Sequence, residues 1–336
     1  MRYRTLGTSG LKVSEICLGT MTFGDTTALP EAQRIADHAV DVGVNFVDTA
    51  NVYVKGRSEE MVGQVIGPKR QQWVLATKLA QPTGAGINER GLSRRNMMAA
   101  TDASLKRLGV DHIDITYIHR VDPAVPWTEV ARNFGDLIQA GKLRYWGISN
   151  VRAWHIPVIA TACRDVGAPL PVVLQPYYNL LNRMPEVEVL PAARAFNIGV
   201  ATYSPVARGV LSGKYVPGSN ADPETRAGRN DRRIMETEWR PESLAIAQTL
   251  KAHAESKGRT LVELAVAWIL NNQAITSVIA GPRTYEQWIT YPGALSYPWG
   301  QDDEALVDSL VKPGHPSTPG YTDPGYPVEG RFPKLG

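Results

Sequence analysis

The sequence has little cysteine. Its two thiols, Cys17 and Cys163, lie far apart and form no CxxC spacing, so neither a zinc site nor a disulfide framework is implied, and reduced thiols in a cytoplasm are expected. Long apolar runs are missing too: none approaches the ~18 residues that a membrane span needs, and the start, MRYRTLGTSG, has no apolar signal core. The chain reads as soluble. Charge of one sign is not in excess, because Lys plus Arg exceed Asp plus Glu by only 36 − 33 = 3 and the basic residues are scattered. That argues against a nucleic-acid partner. A glycine fingerprint of the GxGxxG type after the first strand is also absent. The nearest match, Gly84-Ala-Gly86, lies in a loop and has no third glycine at the required place, which counts against an open, doubly wound sheet.

What is present is a rhythm. Apolar runs of strand length occur at 16–18, 46–48, 73–78, 113–119, 145–149, 172–175, 199–203 and 275–279. Between them, segments such as 30–42, 93–108, 127–140 and 153–166 carry apolar residues at helical spacing and open with proline, serine or other capping signals. Strand then helix, repeated eight times, predicts a closed parallel (β/α)₈ TIM barrel, here a single α/β domain over 1–336. Three segments break the rhythm. TLGTSGLKVS reads as an N-terminal hairpin around Gly7 and Gly10, placed as a plug under the barrel. The connection 204–240 is long and charged, with Arg226, Arg229, Arg232 and Arg233 close together, and reads either as a lid at the C-terminal face or as a solvated loop. The tail 313–336 is rich in Pro and Gly yet carries Tyr321, Tyr326 and Phe332, so it is expected to fold back over the barrel mouth.

In such a barrel the reacting groups sit at the C-terminal strand ends. Asp48 ends NFVD, Lys78 ends WVLATK, His119 ends IDITYIH, and Tyr53 follows Asp48 by five residues. Each taken alone has a structural explanation: a helix cap, an exposed strand end, a core histidine, a packed ring. Their places on consecutive strands two, three and four would bring an acid, a base and two proton donors together. That set suits hydride transfer between a nicotinamide and a carbonyl or its alcohol. Tyr53 would supply the proton, Lys78 would lower its pKa, Asp48 would hold Lys78, and His119 would orient the carbonyl oxygen, with no metal needed. The other strand ends suit the cofactor. Ser149, Asn150 and Gln175 offer hydroxyl and amide groups for the carboxamide, and Tyr203 offers a ring to stack on the nicotinamide. Arg208 and Lys214 in SPVARGVLSGKY reach toward a pyrophosphate, and Gly281 with Arg283 opens a helix where a 2′-phosphate, hence NADPH, would bind.

These motifs resemble the aldo-keto reductase superfamily, in the branch of bacterial aryl-alcohol dehydrogenase-like reductases and potassium-channel β-subunits. The resemblance runs through GTMTFG, NFVDTANVY, GRSEEMVG, ATK, RLGVDHIDITYIHRVD, GISN, QPYYNLLNR, YSPVARGVLSGKY and VIAGPR. It implies Tyr53 as general acid, with Asp48, Lys78 and His119 in the roles above. It also implies a cofactor set of Gly19, Thr20, Met21, Asp48, Ser149, Asn150, Gln175, Tyr203, Ser204, Pro205, Arg208, Gly209, Leu211, Lys214, Gly281, Arg283 and Gln287. One departure stands out: where the family often has a Glu-Asn pair that holds the adenine, this chain has Thr290-Tyr291, which leaves NADH open beside NADPH. The substrate, a small carbonyl or alcohol, is expected among Met21, Phe23, Tyr53, His119, Arg120 and Trp127, together with the long loop and the tail. Alternatives are an NAD-linked alcohol or sugar dehydrogenase, a cofactor-sensing regulatory subunit of the same fold, and a phosphate-substrate barrel enzyme. The last does not require Ser149, Gln175 and Tyr203.

Overall fold

Polar residues at the turns and apolar residues between them build a short hairpin and then a closed barrel. The computed structural model describes residues 1–328 and 330; Phe332 and the rest of the expected tail's end lie outside the described residues. β1 (Tyr3–Thr5) and β2 (Lys12–Ser14) pair antiparallel, with Arg4 opposite Val13. Leu6 and Val13 are fully buried against the barrel-interior residues Cys17, Phe46, Ile115, Tyr117 and Ala201, so the hairpin is the expected plug. Gly7 makes that fit possible. It adopts φ +55°, and a Cβ there would stand 2.3 Å from the carbonyl oxygen of Val172, a conformation and a clearance open only to glycine.

The barrel strands are β3 (Ile16–Gly19), β4 (Phe46–Asp48), β5 (Val74–Leu79), β6 (Ile113–Ile118), β7 (Leu143–Ser149), β8 (Val173–Gln175), β9 (Gly199–Thr202) and β10 (Ser277–Ala280). Each is parallel to the next, and β10 pairs with both β9 and β3, which closes the sheet. All eight expected strands are present. β4 has its expected bounds, the other ends differ by at most two residues, and the two-residue shifts are at the starts of β7 and β10. At β10, Thr276 donates its amide to the Val200 carbonyl and accepts the Val200 amide on its hydroxyl rather than on its own carbonyl.

The surrounding helices are α1 (Leu29–Asp41), α2 (Arg57–Ile66), α3 (Arg94–Leu108), α4 (Trp127–Gln139), α5 (His155–Val166), α6 (Val189–Ala195), α7 (Arg232–Thr237), α8 (Pro241–Ser256), α9 (Leu261–Asn271), α10 (Tyr285–Trp288), α11 (Thr290–Gly293) and α12 (Gln301–Leu310). Local chemistry sets their starts. Pro30 stands in the first turn of α1, Ser93 accepts the Asn96 amide before α3, and Thr260 with Glu263 makes a reciprocal cap on α9. The long connection after β9 is structured, since Asp231 caps α7 by accepting the amides of Arg233 and Ile234. Beyond α12 the chain runs back across the C-terminal face, where the Ser317 amide donates to the Leu181 carbonyl and Arg233 binds Asp323. Among the described residues no helix is long and apolar enough to cross a membrane.

Candidate active site

The parallel register sets Asp48, Lys78 and His119 side by side. Asp48 ends β4, Lys78 is the penultimate residue of β5, and His119 comes directly after β6, its amide donating to the Leu79 carbonyl. The Lys78 ammonium is the hub. Its Nζ lies 2.5 Å from Asp48 Oδ2, 2.8 Å from the Thr49 carbonyl oxygen and 3.2 Å from the Tyr53 hydroxyl. The Tyr53 ring meets His119 edge-on at 5.8 Å between centroids. Asp48 is held from its other side by the Gln175 amide, which donates to Oδ1 at 2.9 Å.

Backbone strain concentrates around this group. Among the described residues, nine non-glycine residues have positive φ; Val54, Lys55, Ala80, Asn150, Ser204, Ala207, Arg208 and Asn230 stand in loops that leave the C-terminal strand ends, and Asn197 precedes β9. Val54, β-branched at φ 50°, sits next to Tyr53 in a tight turn. A branched side chain in that region is disfavoured and is retained only where surrounding contacts over-determine it.

Burial shapes the charges. Burial acts to deprotonate Lys78, but the Asp48 charge, the Tyr53 phenol and their hydrogen bonds outweigh it, and the ammonium is held above its usual range. Tyr53 differs from expectation. Burial raises the phenol above its ordinary value, and the downward pull of Lys78 is partly cancelled by Asp48. The pair Lys78–Asp48 is nearly neutral as a unit, so it lowers the phenol far less than a lone ammonium would. His119 is pushed down to about 3, first by burial and then by Lys78 and Arg120, so its imidazole is neutral throughout the physiological range. Its Nδ1 is buried with no hydrogen-bond partner among the described residues.

The depressed histidine makes stability depend on pH. The unfolded chain's histidine takes up a proton near pH 6.5, whereas the folded one resists down to about 3. The unfolded state therefore binds more protons in that window, and stability falls as pH drops from 6.5 toward 3. His119→Gln is expected to flatten this acid-side decline in urea melts at pH 4 and pH 7; an unchanged decline would place the titrating group elsewhere.

The residues expected to hold the cofactor are spread around the same face, and several are engaged with one another. Ser149 donates to the Gln175 carbonyl, Asn150 donates to the His119 carbonyl, and the Tyr203 hydroxyl donates to Asn150 Oδ1. Thr20 donates through both its amide and its hydroxyl to the Asp48 carbonyl. Gly19 packs closely on β10, Met21 is exposed at the rim, and Gly281 faces open space. Ser204 accepts a hydrogen bond from Arg208, whose guanidinium also reaches Thr237 and Glu238. Gly209 lies close to Lys214, and Arg283 donates to the Glu224 carbonyl while its amide donates to Gln287.

Other expected positions differ in how much side chain they expose. Phe23 is fully buried in the main core, so it has no surface to offer a substrate. Its apolar ring packs better there than at a wet rim. Pro205 and Leu211 are buried as well, which leaves only backbone at those positions for a phosphate. Arg120 is exposed, and Trp127 packs edge-on against His155 at the rim. At the departure from the Glu-Asn pattern, Tyr291 is buried beside Trp288 with its phenol in electrostatic reach of Arg226, and Thr290 donates back to the Gln287 carbonyl. Two roles emerge only from the structure. Gln175 clamps Asp48, and no sequence signal marks that contact. Arg226 joins Lys214, Arg229 and Arg283 in a cationic group: Lys214 is lowered by burial, then by Arg283 and Arg226, against some relief from Asp222. The run of arginines in the long loop is the sequence signal for it.

Comparison with known proteins agrees with this geometry. The family model described as the aldo/keto reductase family matches residues 15–312. The chain belongs to the aldo/keto reductase family. This aldo/keto reductase is 39% identical over 286 residues to a "Probable voltage-gated potassium channel subunit beta" of Arabidopsis thaliana, covering 84% of this chain and 87% of that one. A protein of the same description from Oryza sativa subsp. japonica is 36% identical over 300 residues, covering 88% and 91%. "Uncharacterized oxidoreductase YrpG" of Bacillus subtilis (strain 168) is 38% identical over 301 residues, covering 85% and 89%. Membership supports an oxidoreductase of this family's type.

Proposed function

We propose that this aldo/keto reductase is an NADPH-dependent reductase of aldehydes or ketones, reversible toward the alcohol, with Tyr53 as general acid. The observation that carries this reading is the convergence on Lys78 of Asp48, at 2.5 Å, and the Tyr53 hydroxyl, at 3.2 Å, with His119 edge-on to Tyr53. NADPH, when bound, would be the hydride source for the carbonyl carbon. As the carbonyl oxygen gains negative charge, Tyr53 donates its proton, and the neutral imidazole of His119 donates a hydrogen bond to the same oxygen. The Lys78 ammonium stabilises the phenolate left behind. Asp48, fixed by Gln175, keeps that ammonium charged and in place.

The residues present fit such a cofactor. Lys214, Arg226, Arg229 and Arg283 gather cations: burial first and then Arg283 and Arg226 push the Lys214 ammonium down, and an anionic ligand would relieve the repulsive part of that shift. Lys214 and Arg226 would hold the pyrophosphate and Arg283 the 2′-phosphate. Ser149, Asn150 and Gln175 would meet the carboxamide, with Tyr203 against the ring. Met21, Arg120 and Trp127 would border the substrate. To test the reading, purified protein is mixed with NADPH and 4-nitrobenzaldehyde, and loss of NADPH absorbance is followed; no consumption across a panel of aldehydes and ketones sinks it. Arg283→Ala is expected to reduce the preference for NADPH over NADH by about 10–100-fold, the worth of one charge-assisted contact. An unchanged ratio of affinities would move the 2′-phosphate site and favour an NAD-linked dehydrogenase. The names of the plant relatives favour a second reading, a cofactor-sensing subunit. Tight retention of NADPH with negligible turnover on every carbonyl would select it.

A further inference from the structure

The C-terminal segment joins two parts of the face where the cofactor reading places its ligand. On one side, Arg152, just past the Ser149-Asn150 pair, donates from Nη2 to the carbonyls of Tyr326 and Pro327 at 2.9 and 2.6 Å, and Tyr326 meets the phenol of Tyr203. On the other side, Asp323 receives both terminal nitrogens of Arg233 in α7, at 3.1 and 2.8 Å. Tyr321 donates its hydroxyl to the Glu236 carbonyl, and the Arg240 guanidinium lies 3.8 Å over its ring.

The C-terminal end of α7 leads directly to the expected phosphate site. The Thr237 hydroxyl bonds the Arg233 carbonyl and Glu238, and Thr237 and Glu238 together hold Arg208. A continuous set of contacts thus runs from Asp323 through Arg233 and the last turn of α7 to Arg208, which is expected at the pyrophosphate. The six residues of α7 are too few to be stable alone in water, so their position depends on these tertiary contacts. The Asp323 side chain is only 10% exposed and its grip on Arg233 is two-pronged, the geometry in which an ion pair holds position rather than fluctuating.

We propose that residues 317–327 form a strap that holds the segment after β9 over the cofactor, with Asp323 and Arg233 as positioning residues whose pairing slows cofactor release. The proposal rests on the NADPH reading above. Its signature is kinetic: breaking the pair frees α7 and Arg208, so bound NADPH leaves faster, while hydride transfer in the assembled site is unaffected because no reacting atom is touched.

The test uses the full chain and its Asp323→Asn and Asp323→Glu variants, with NADPH release measured by stopped-flow fluorescence after displacement by excess NADP⁺. Asp323→Asn is expected to raise the release rate about tenfold, the equivalent of one charge-assisted pair. Asp323→Glu keeps the carboxylate and is expected to restore slow release. The single-turnover reduction rate should match wild type, since a general structural defect of the site would lower it together with speeding release. Wild-type release by Asp323→Asn, or a failure of Asp323→Glu to restore it, overturns the strap alone. Wild-type protein that binds no NADPH overturns the cofactor reading and the strap with it.

Discussion

Replacing Tyr53 by phenylalanine is expected to lower the rate of carbonyl reduction by about 10²–10⁴-fold, the range for loss of a positioned general acid, while NADPH affinity is retained. The ring stays, so its edge contact with His119 stays, and only the hydroxyl 3.2 Å from Lys78 Nζ is lost. Because burial holds the phenol above its ordinary value, Tyr53 is protonated across neutral pH and is ready to donate. Reduction should therefore be level through neutrality and decline only at strongly alkaline pH. Alcohol oxidation needs the phenolate, so its rate should climb with pH and still be climbing near the ordinary phenol value of about 10. Steady-state profiles in both directions check this. Equal reduction rates for wild type and Tyr53→Phe would remove Tyr53 from the mechanism, and an oxidation rate that levels off near neutrality would mean that the phenol is depressed after all.

Lys78→Met should be the most damaging single change to stability. Asp48 is 3% exposed and Lys78 1%, so removing the ammonium leaves a buried carboxylate with, among the described residues, only the Gln175 amide as a side-chain partner. Breaking a buried pair from one side costs about 3–5 kcal/mol. Adding Asp48→Asn to Lys78→Met removes the stranded charge and should restore most of that loss without restoring activity. Urea denaturation of the two single variants and the double variant gives the comparison. A loss under about 1 kcal/mol for Lys78→Met would place the pair in the class of exposed ion pairs and contradict the ordering of charges described for this site.

The barrel is legible in the sequence because its signal is local and repeated. Each strand is a short apolar run, and helices such as α1, α3 and α9 carry their own start signals, so the eight units can be counted without knowledge of any contact. A polar residue closing a run, as at Asp48, Lys78 and His119, marks a candidate catalytic strand end for the same reason. The burial of Phe23 is not legible, because an aromatic residue near a strand end carries no mark of whether its ring faces the core or the mouth. Nor is the sign of the Tyr53 shift. Lys78 alone would lower the phenol, and the opposing effects of Asp48 and of burial depend on packing.

The amino-acid sequence by itself determined the (β/α)₈ order, the plug hairpin, the family and the identity of Asp48, Tyr53, Lys78 and His119 as candidates, because strand period, turn chemistry and motif spacing are properties of neighbours along the chain. Only the tertiary structure decided that Gln175 clamps Asp48, that Arg226 joins Lys214 and Arg283, and that Asp323 ties the C-terminal segment to α7. Gln175 and Asp48 are 127 positions apart, and Asp323 and Arg233 are 90 apart. Electrostatic and hydrogen-bonding partners act over a few ångströms of space, and closure of the barrel is what sets that distance.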